Sequence, residues 1–321
     1  MIPSEGGNNE IVEIRTFVGE HTCNGVQHSR HKQASSSFIT AAIQACLQDQ
    51  PGYRPADIVQ DMRREQGIQV SYSTAWRAKE LAIANVNGSG EAAYSGLPKY
   101  CEDILRTNPG STAILERANN RFLRMFICCG ASAIGFAHCR PVLGLDGSHL
   151  KGKYQGILLA ATAVDANGSL FPLAYAVVAT ENDDNWYWVV RILHGVIEQH
   201  ASAYLAPTVL TFISDCQKGL LEAVERLFPG SPHGYCLRHL YENLHKHPGL
   251  REYLWKAARA TSAEAFNDAI EKMRGIAPNS VPWLLSLADP SHWAEFYFPG
   301  HRYSHITSNI AESLNSWLLI A

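Results

Sequence analysis

The stretch PVLGLDGSHLKGKYQGILLAATAVDANGSLFPLAYAVV, residues 141–178, decides the fold. Three apolar runs, at about 142–148, 155–165 and 168–180, read as strands, and DANGS between the second and third is a hairpin turn. Downstream, DDNWYWVVRILHGVIEQH predicts a helix capped by Asp183 or Asp184, which crosses over to a fourth strand at about 207–214. CQKGLLEAVERLF reads as a further helix and SPHGYC as a short fifth strand. A meander of three strands, a crossover helix, then strand, helix and strand is a mixed α/β sheet. Residues of about 240–300, rich in helical patterns and Trp, read as an insertion, and a helix at about 309–319 closes the chain.

Upstream the pattern is helical. Runs at about 55–66 and 72–84, divided by Gly67, place Ile58, Met62, Ala75 and Leu81 at helical spacing. This is either a helix-turn-helix carrying Arg77 and Lys79 toward DNA or a small helical pair with a solvated charged face. A helix over 91–107 ends at the turn TNPG, and residues 91–140 as a whole read as a helical connector. Residues 1–40 contain His21 and Cys23, which make half a zinc site; no cysteine or histidine precedes them, and a structural zinc site needs four ligands.

Composition bounds the function classes. The 321 residues carry a formal charge of −3, so a nucleic-acid role rests on local rather than bulk charge. Eight cysteines, spread along the chain apart from the adjacent Cys128 and Cys129, with a polar start to the chain, fit free thiols or metal ligands in a reducing compartment. The apolar runs are much shorter than the roughly 18 residues of a membrane span. No Lys/Arg run exceeds the pair Arg63 and Arg64, so nuclear entry is not legible as a basic motif.

Three acids stand where they can share a metal. Asp146 falls in or at the end of the first strand of the meander, Asp215 at the end of the fourth, and Glu312 in the first turn of the closing helix. Carboxylates gathered at one sheet edge bind hard divalent cations, and such ions drive in-line displacement at phosphorus. Taken singly, Asp146 also reads as a turn residue, Asp215 as a helix cap, and Asn309 with Glu312 as a variant capping box.

The words themselves carry more. The stretch 141–178 together with ENDDNWYWVV, FISDCQKGLLEAV, HGYCLRHLYENL and TSNIAESLNSWL, in that order, resembles Mutator-like element (MULE) transposases. EHTCNGVQHSRHKQASSSFI, GIQVSYSTAWRAKELA and NPGSTAILE are similar to the amino-terminal part of plant-type members. The resemblance implies a ribonuclease-H-like core over 141–321 with a helical insertion, preceded by a zinc-finger-like remnant (1–40) and a helix-turn-helix-like region (41–90). It makes Asp146, Asp215 and Glu312 a DDE triad holding Mg²⁺ or Mn²⁺, and marks Cys236 and His239 as the family's C/DxxH signature. That pair either shapes the active-site edge and contacts DNA, or binds Zn²⁺ with further ligands such as His233, His245 or His247. Trp186 and Trp188 match the family's aromatic helix and serve either core packing, the favoured reading, or a base-stacking platform, and Lys151 and Lys153 are either phosphate contacts or a solvated pair.

The expected activity is binding of terminal inverted repeats in double-stranded DNA, with metal-dependent cleavage and transfer into target DNA in the nucleus by a homo-oligomer. The competing reading is a domesticated, non-catalytic DNA-binding regulator. The family's remaining amino-terminal cysteines and its downstream SWIM-type finger have no counterpart in these residues, so the chain reads as shortened at both ends.

Overall fold

A computed structural model describes residues 16, 34–50, 52–87, 90–119, 121–150, 155–244 and 249–318. His21, Cys23, Lys151, Lys153, His245 and His247 therefore lie outside the described residues. The chain divides into two compact units, Met1–Gly88 and Ser89–Ala321. Among the described residues, no helix is long and apolar enough to cross a membrane.

The first unit holds α1 (Ser36–Asp49), α2 (Pro55–Gln66) and α3 (Tyr72–Asn87). The Ser35 side chain caps α1 by accepting from the Phe38 amide. Pro55 opens α2, and Gly67, at φ 64°, closes it in the left-handed region that glycine enters at least cost. Ile39, Ile43, Ile58, Met62, Ala75, Ala78 and Ala82 form the core. Leu81, expected inside, is 46% exposed. The buried face of α3 runs through its alanines, whose small side chains let α1 and α2 approach closely.

The second unit contains α4 (Gly90–Thr107), the strands β1 (Thr112–Ala118) and β2 (Arg121–Cys128), and α5 (Gly130–Phe136). A helical connector was expected across 91–140; the structure instead has a hairpin over 112–128, with β2 paired to β5 (Leu170–Val178). Its charges hide its alternation in the sequence. Glu116 and Arg124 face each other across the hairpin at 2.7 Å, so both are accommodated on strands.

The meander follows as β3 (Arg140–His149), β4 (Ile157–Val164) and β5, all antiparallel. Helix α6 (Asp183–His200) crosses over to β6 (Thr211–Ser214), and α7 (Lys218–Leu227) leads to β7 (His233–Tyr235). The sheet order is β1-β2-β5-β4-β3-β6-β7, with β6 and β7 parallel to β3. This is the mixed α/β sheet expected from the sequence. The cap of α6 is Asn182 rather than either aspartate; its side chain accepts from the Asn185 amide and leaves Asp183 and Asp184 in the first turn.

Two faces of the sheet carry different partners. Leu143 and Leu145 point into the large core with Trp186, Trp188 and Val190 of α6 and Leu220 of α7. Val142 and Ile213 point the other way, toward Ile310 of α12 (Asn309–Leu318). Between β7 and α12 lie α8 (Leu237–Asn243), α9 (Leu250–Ala258), α10 (Ala263–Ile276) and α11 (Ser280–Leu287), with a core around Leu254, Met273 and Trp293. Arg302, 2% exposed, donates to the carbonyls of Trp293 and Ala258 and pairs with Glu295, tying this helical section to the chain that returns to α12.

Candidate active site

Strand periodicity places the first two acids. Side chains alternate along β3, so Gly144 and Asp146 share the face of Val142. In the parallel pair, Gly144 lies opposite Ile213; continuing that register by two residues sets Asp146 beside Asp215, one residue beyond β6. Neighbouring strands lie about 4.8 Å apart. Both acids therefore emerge at one sheet end, on the face that α12 covers.

The single-residue alternatives for the two aspartates do not hold in the structure, whereas Glu312 keeps a contact at the start of its helix. Asp146 is inside β3, opposite Ala160 of β4, and is not a turn residue. Asp215 does not cap α7; the Gln217 side chain does, accepting from the Leu220 amide, while Asp215 accepts from the Gln217 amide at 3.2 Å. Glu312 is the fourth residue of α12, and its carboxylate is engaged by the Ser308 hydroxyl and the Arg238 guanidinium.

Gly144 lets α12 come this close. A Cβ at Gly144 would fall 2.6 Å from Ile310 Cγ1 and 2.7 Å from Ile310 Cδ1. With that gap closed, Asn315, one turn after Glu312, reaches Asp146 and donates its Nδ2 to Oδ2 at 2.7 Å. Asn315 is 3% exposed, and its Oδ1 is buried with no partner. The orientation follows from chemistry: a carboxylate accepts only, so the amide nitrogen faces it and the amide oxygen is left over.

Asp146 is 8% exposed. Burial is the main cause that pushes its carboxyl up to about 7; the His239 charge opposes this, and the Glu312 and Asp215 charges add to it. Among the described residues neither Asp146 nor Asp215 has a Lys or Arg partner. Two aspartates without a Lys or Arg partner, with one orphaned amide oxygen beside Asp146, offer the oxygen donors that a hard divalent ion takes.

The C/DxxH pair sits at the same edge. Cys236 follows β7 as the N-cap residue of α8; its amide donates to the Ser214 carbonyl at 2.6 Å, and its Sγ accepts from the Ser308 amide at 3.2 Å. It thereby joins the end of β6 to the start of α12. His239 follows one turn on, and the neighbouring Cys236 sulfur pulls its imidazole up to about 9, with Asp215 and Asp146 adding to the effect. His239 Nδ1 is itself buried with no hydrogen-bond partner. Cys236 itself is pushed up by burial and down by its hydrogen-bonding neighbours His239 and Ser308, ending below the usual thiol value.

Among the described residues, Cys236, His239 and Glu312 are the group whose ligand atoms lie within 4.8 Å of one another. The three carboxylates do not close to that range as a set. Like charges repel without a cation between them, and Arg238 and Ser308 hold Glu312 on the Cys236 side. A fourth carboxylate stands nearby: Glu181 accepts from Trp186 Nε1 at 3.0 Å and packs 3.0 Å from where a Cβ on Gly147 would lie. Burial raises its carboxyl, and the Asp215 charge contributes. Sequence reasoning passed over Glu181 and Asn315; the signal available was only their position inside motifs whose neighbours were assigned.

Of the remaining expected residues, Trp186 and Trp188 are core side chains at 1% and 2% exposure, as the sequence suggested. Arg77 is exposed and Lys79 half-buried on α3 of the first unit.

Residues 142–243 match the MULE transposase domain family. The chain is also similar to Protein FAR1-RELATED SEQUENCE 6 of Arabidopsis thaliana, at 24% identity over 204 residues, covering 60% of this chain and 28% of that protein. The chain thus spans less than a third of the length of that curated relative.

Proposed function

We propose, from the match of residues 142–243 to the MULE transposase domain family and the similarity to the FAR1-related protein, that the chain is a MULE-type transposase-like protein that binds transposon terminal inverted repeats and catalyses metal-dependent DNA cleavage and strand transfer. The observation that supports this reading is the convergence of β3, the end of β6 and α12 on one sheet end, with Asp146, Asp215 and Glu312 on them. Asp146 and Asp215 would hold Mg²⁺ or Mn²⁺, with Glu312 completing the set; a divalent ion there supplies Lewis acidity toward the scissile phosphate and its nucleophile.

The chain's own residues do the rest. Asn315 fixes one oxygen of Asp146 and so aims the other. His239, whose imidazole the Cys236 sulfur and the nearby acids push toward its charged form, would offer positive charge to a phosphate oxygen at the same edge. In the first step a water oxygen bonds to phosphorus as the P–O3′ bond breaks, leaving a 3′-hydroxyl. In the second, that hydroxyl attacks a target phosphodiester and displaces its 3′ oxygen. Helix α3, with Arg77 and Lys79, is assigned to DNA recognition, and Cys236 to positioning His239 and the start of α12. Lys151 and Lys153 follow Asp146 closely enough in the chain to serve phosphates. Zn²⁺ at His21 and Cys23 would need ligands beyond them. Synapsis of two ends calls for a homo-oligomer, and genomic DNA places the work in the nucleus.

Nicking of supercoiled plasmid by the purified chain with Mn²⁺, beside Asp215→Asn, tests the proposal. Loss of nicking in the variant supports it. A folded wild-type chain that binds DNA without nicking it supports the non-catalytic regulator instead.

A further inference from the structure

Two cavities, of about 1140 and 610 Å³, open on the helical section between β7 and α12 and adjoin along Arg251, Trp255 and Arg259, which line both; together they make one groove. At one end it reaches Asn309 and Arg238, the residue that grips Glu312. At the other it passes between α9 and α10 to Lys272.

The groove, which also holds the acids Glu242, Glu252 and Asp268, spends only part of its positive charge internally. Lys256 pairs with Glu252 at 2.7 Å, and Arg238 with Glu242 and Glu312. Among the described residues, Arg251, Arg259 and Lys272 have no carboxylate within ion-pair distance. Arg251 instead lies over the Trp255 ring, 4.9 Å from its centroid, with Tyr241 edge-on at 5.9 Å. Trp255 is half-buried, so part of its ring faces the groove. Unpaired cations interleaved with a partly open aromatic are what a nucleic-acid strand with unstacked bases requires: the cations follow phosphates and the ring receives a base. A duplex keeps its bases stacked inside and has no use for the ring.

We propose that this groove seats a single-stranded segment of the DNA substrate beside the acidic site, with Arg251, Arg259 and Lys272 on its phosphates and Trp255 against a base. The inference rests on the reading of the chain as a DNA-processing protein, and it assigns the helical section a substrate-holding role separate from the acids.

The test is fluorescence anisotropy of the full chain, in EDTA, with a labelled oligo-dT of about 15 nucleotides and a duplex of equal length, across a salt series. The Arg251→Ala/Arg259→Ala double variant should bind the single strand about tenfold or more weakly and lose roughly 1.4 from the salt slope, about 0.7 per phosphate contact. Trp255→Leu, which keeps an apolar contact with the helical core, should weaken binding about fivefold or more without changing the slope. Mn²⁺ binding by each variant, followed by calorimetry, should match wild type, since none of the three residues touches the acids. Variants that bind the single strand as tightly as wild type overturn the groove and leave the proposed function standing. A wild-type preference for duplex that Trp255→Leu does not alter overturns the single-strand assignment. A wild-type chain that binds neither DNA overturns the groove and the function together.

Discussion

Asp146 stands on a strand and Asp215 one residue beyond another, whereas Glu312 and Asn315 stand on a helix, and the two pairs reach the same sheet end by different means. The strand pair is placed by backbone register between β3 and β6. The helix pair is placed by side chains: Ile310 lodged against Gly144, Asn315 on Asp146, Glu312 on Arg238 and Ser308. Ladder hydrogen bonds are many and cooperative, while each side-chain contact is worth only about 1 kcal/mol net. The strand half is thus held by more bonds than the helix half.

The sharpest way to break the strand half is Asp215→Asn. Removing a carboxylate that works through a metal forfeits several kcal/mol of transition-state stabilisation, so the nicking rate should fall by roughly 10³-fold. Next comes Asp146→Asn, read as stability without metal. The folded-state value of about 7 lies above the unfolded value of 3.8, so the folded state disfavours the ionised acid. Its penalty is absent below about pH 4, grows as pH rises toward 7 and is complete above that. In EDTA at pH 8 the variant should therefore be more stable than wild type, by up to about 4 kcal/mol, with the gain vanishing near pH 4. Chemical denaturation at the two pH values measures it.

The helix half is tested by distance and by contact. Gly144→Val pushes a side chain into Ile310 and should lift α12, costing roughly 1–3 kcal/mol of stability and lowering Mn²⁺ affinity by about tenfold or more. Circular dichroism and calorimetry on the same sample separate the two effects. Asn315→Ala is the mildest change. It leaves α12 seated but frees Asp146, and an outer-sphere loss of this kind costs about tenfold in metal affinity. Retained affinity in both variants would mean that the helix half is not needed to hold metal.

The strand half was legible in the sequence because alternating and continuous apolar runs, the DANGS turn and the acids at strand ends are local signals. The helix half was only partly so. Glu312 stands in a recognisable motif, but Asn315 acquires its role from a contact across 169 residues, which no local pattern encodes. Gly144 looks like any strand glycine until Ile310 is seen against it. The hairpin at 112–128 was missed for a related reason: Glu116, Arg117, Arg121 and Arg124 interrupt its apolar alternation, and they suit a strand only because Glu116 and Arg124 meet across the turn. Leu81 looked internal by periodicity, yet the alanine face of α3 is the one that packs.

The central claim is that β3, β6 and α12 bring Asp146, Asp215 and Glu312 together to hold one divalent site. Calorimetric titration of Mn²⁺ into the purified chain, beside Asp146→Asn, Asp215→Asn and Glu312→Gln, addresses it without depending on turnover or on the DNA. Saturable binding by wild type, weakened in all three variants, is the predicted result. Wild-type binding that survives the two aspartate substitutions and falls only with Glu312→Gln, Cys236→Ser or His239→Ala would contradict it, placing the cation with the Cys236 and His239 pair.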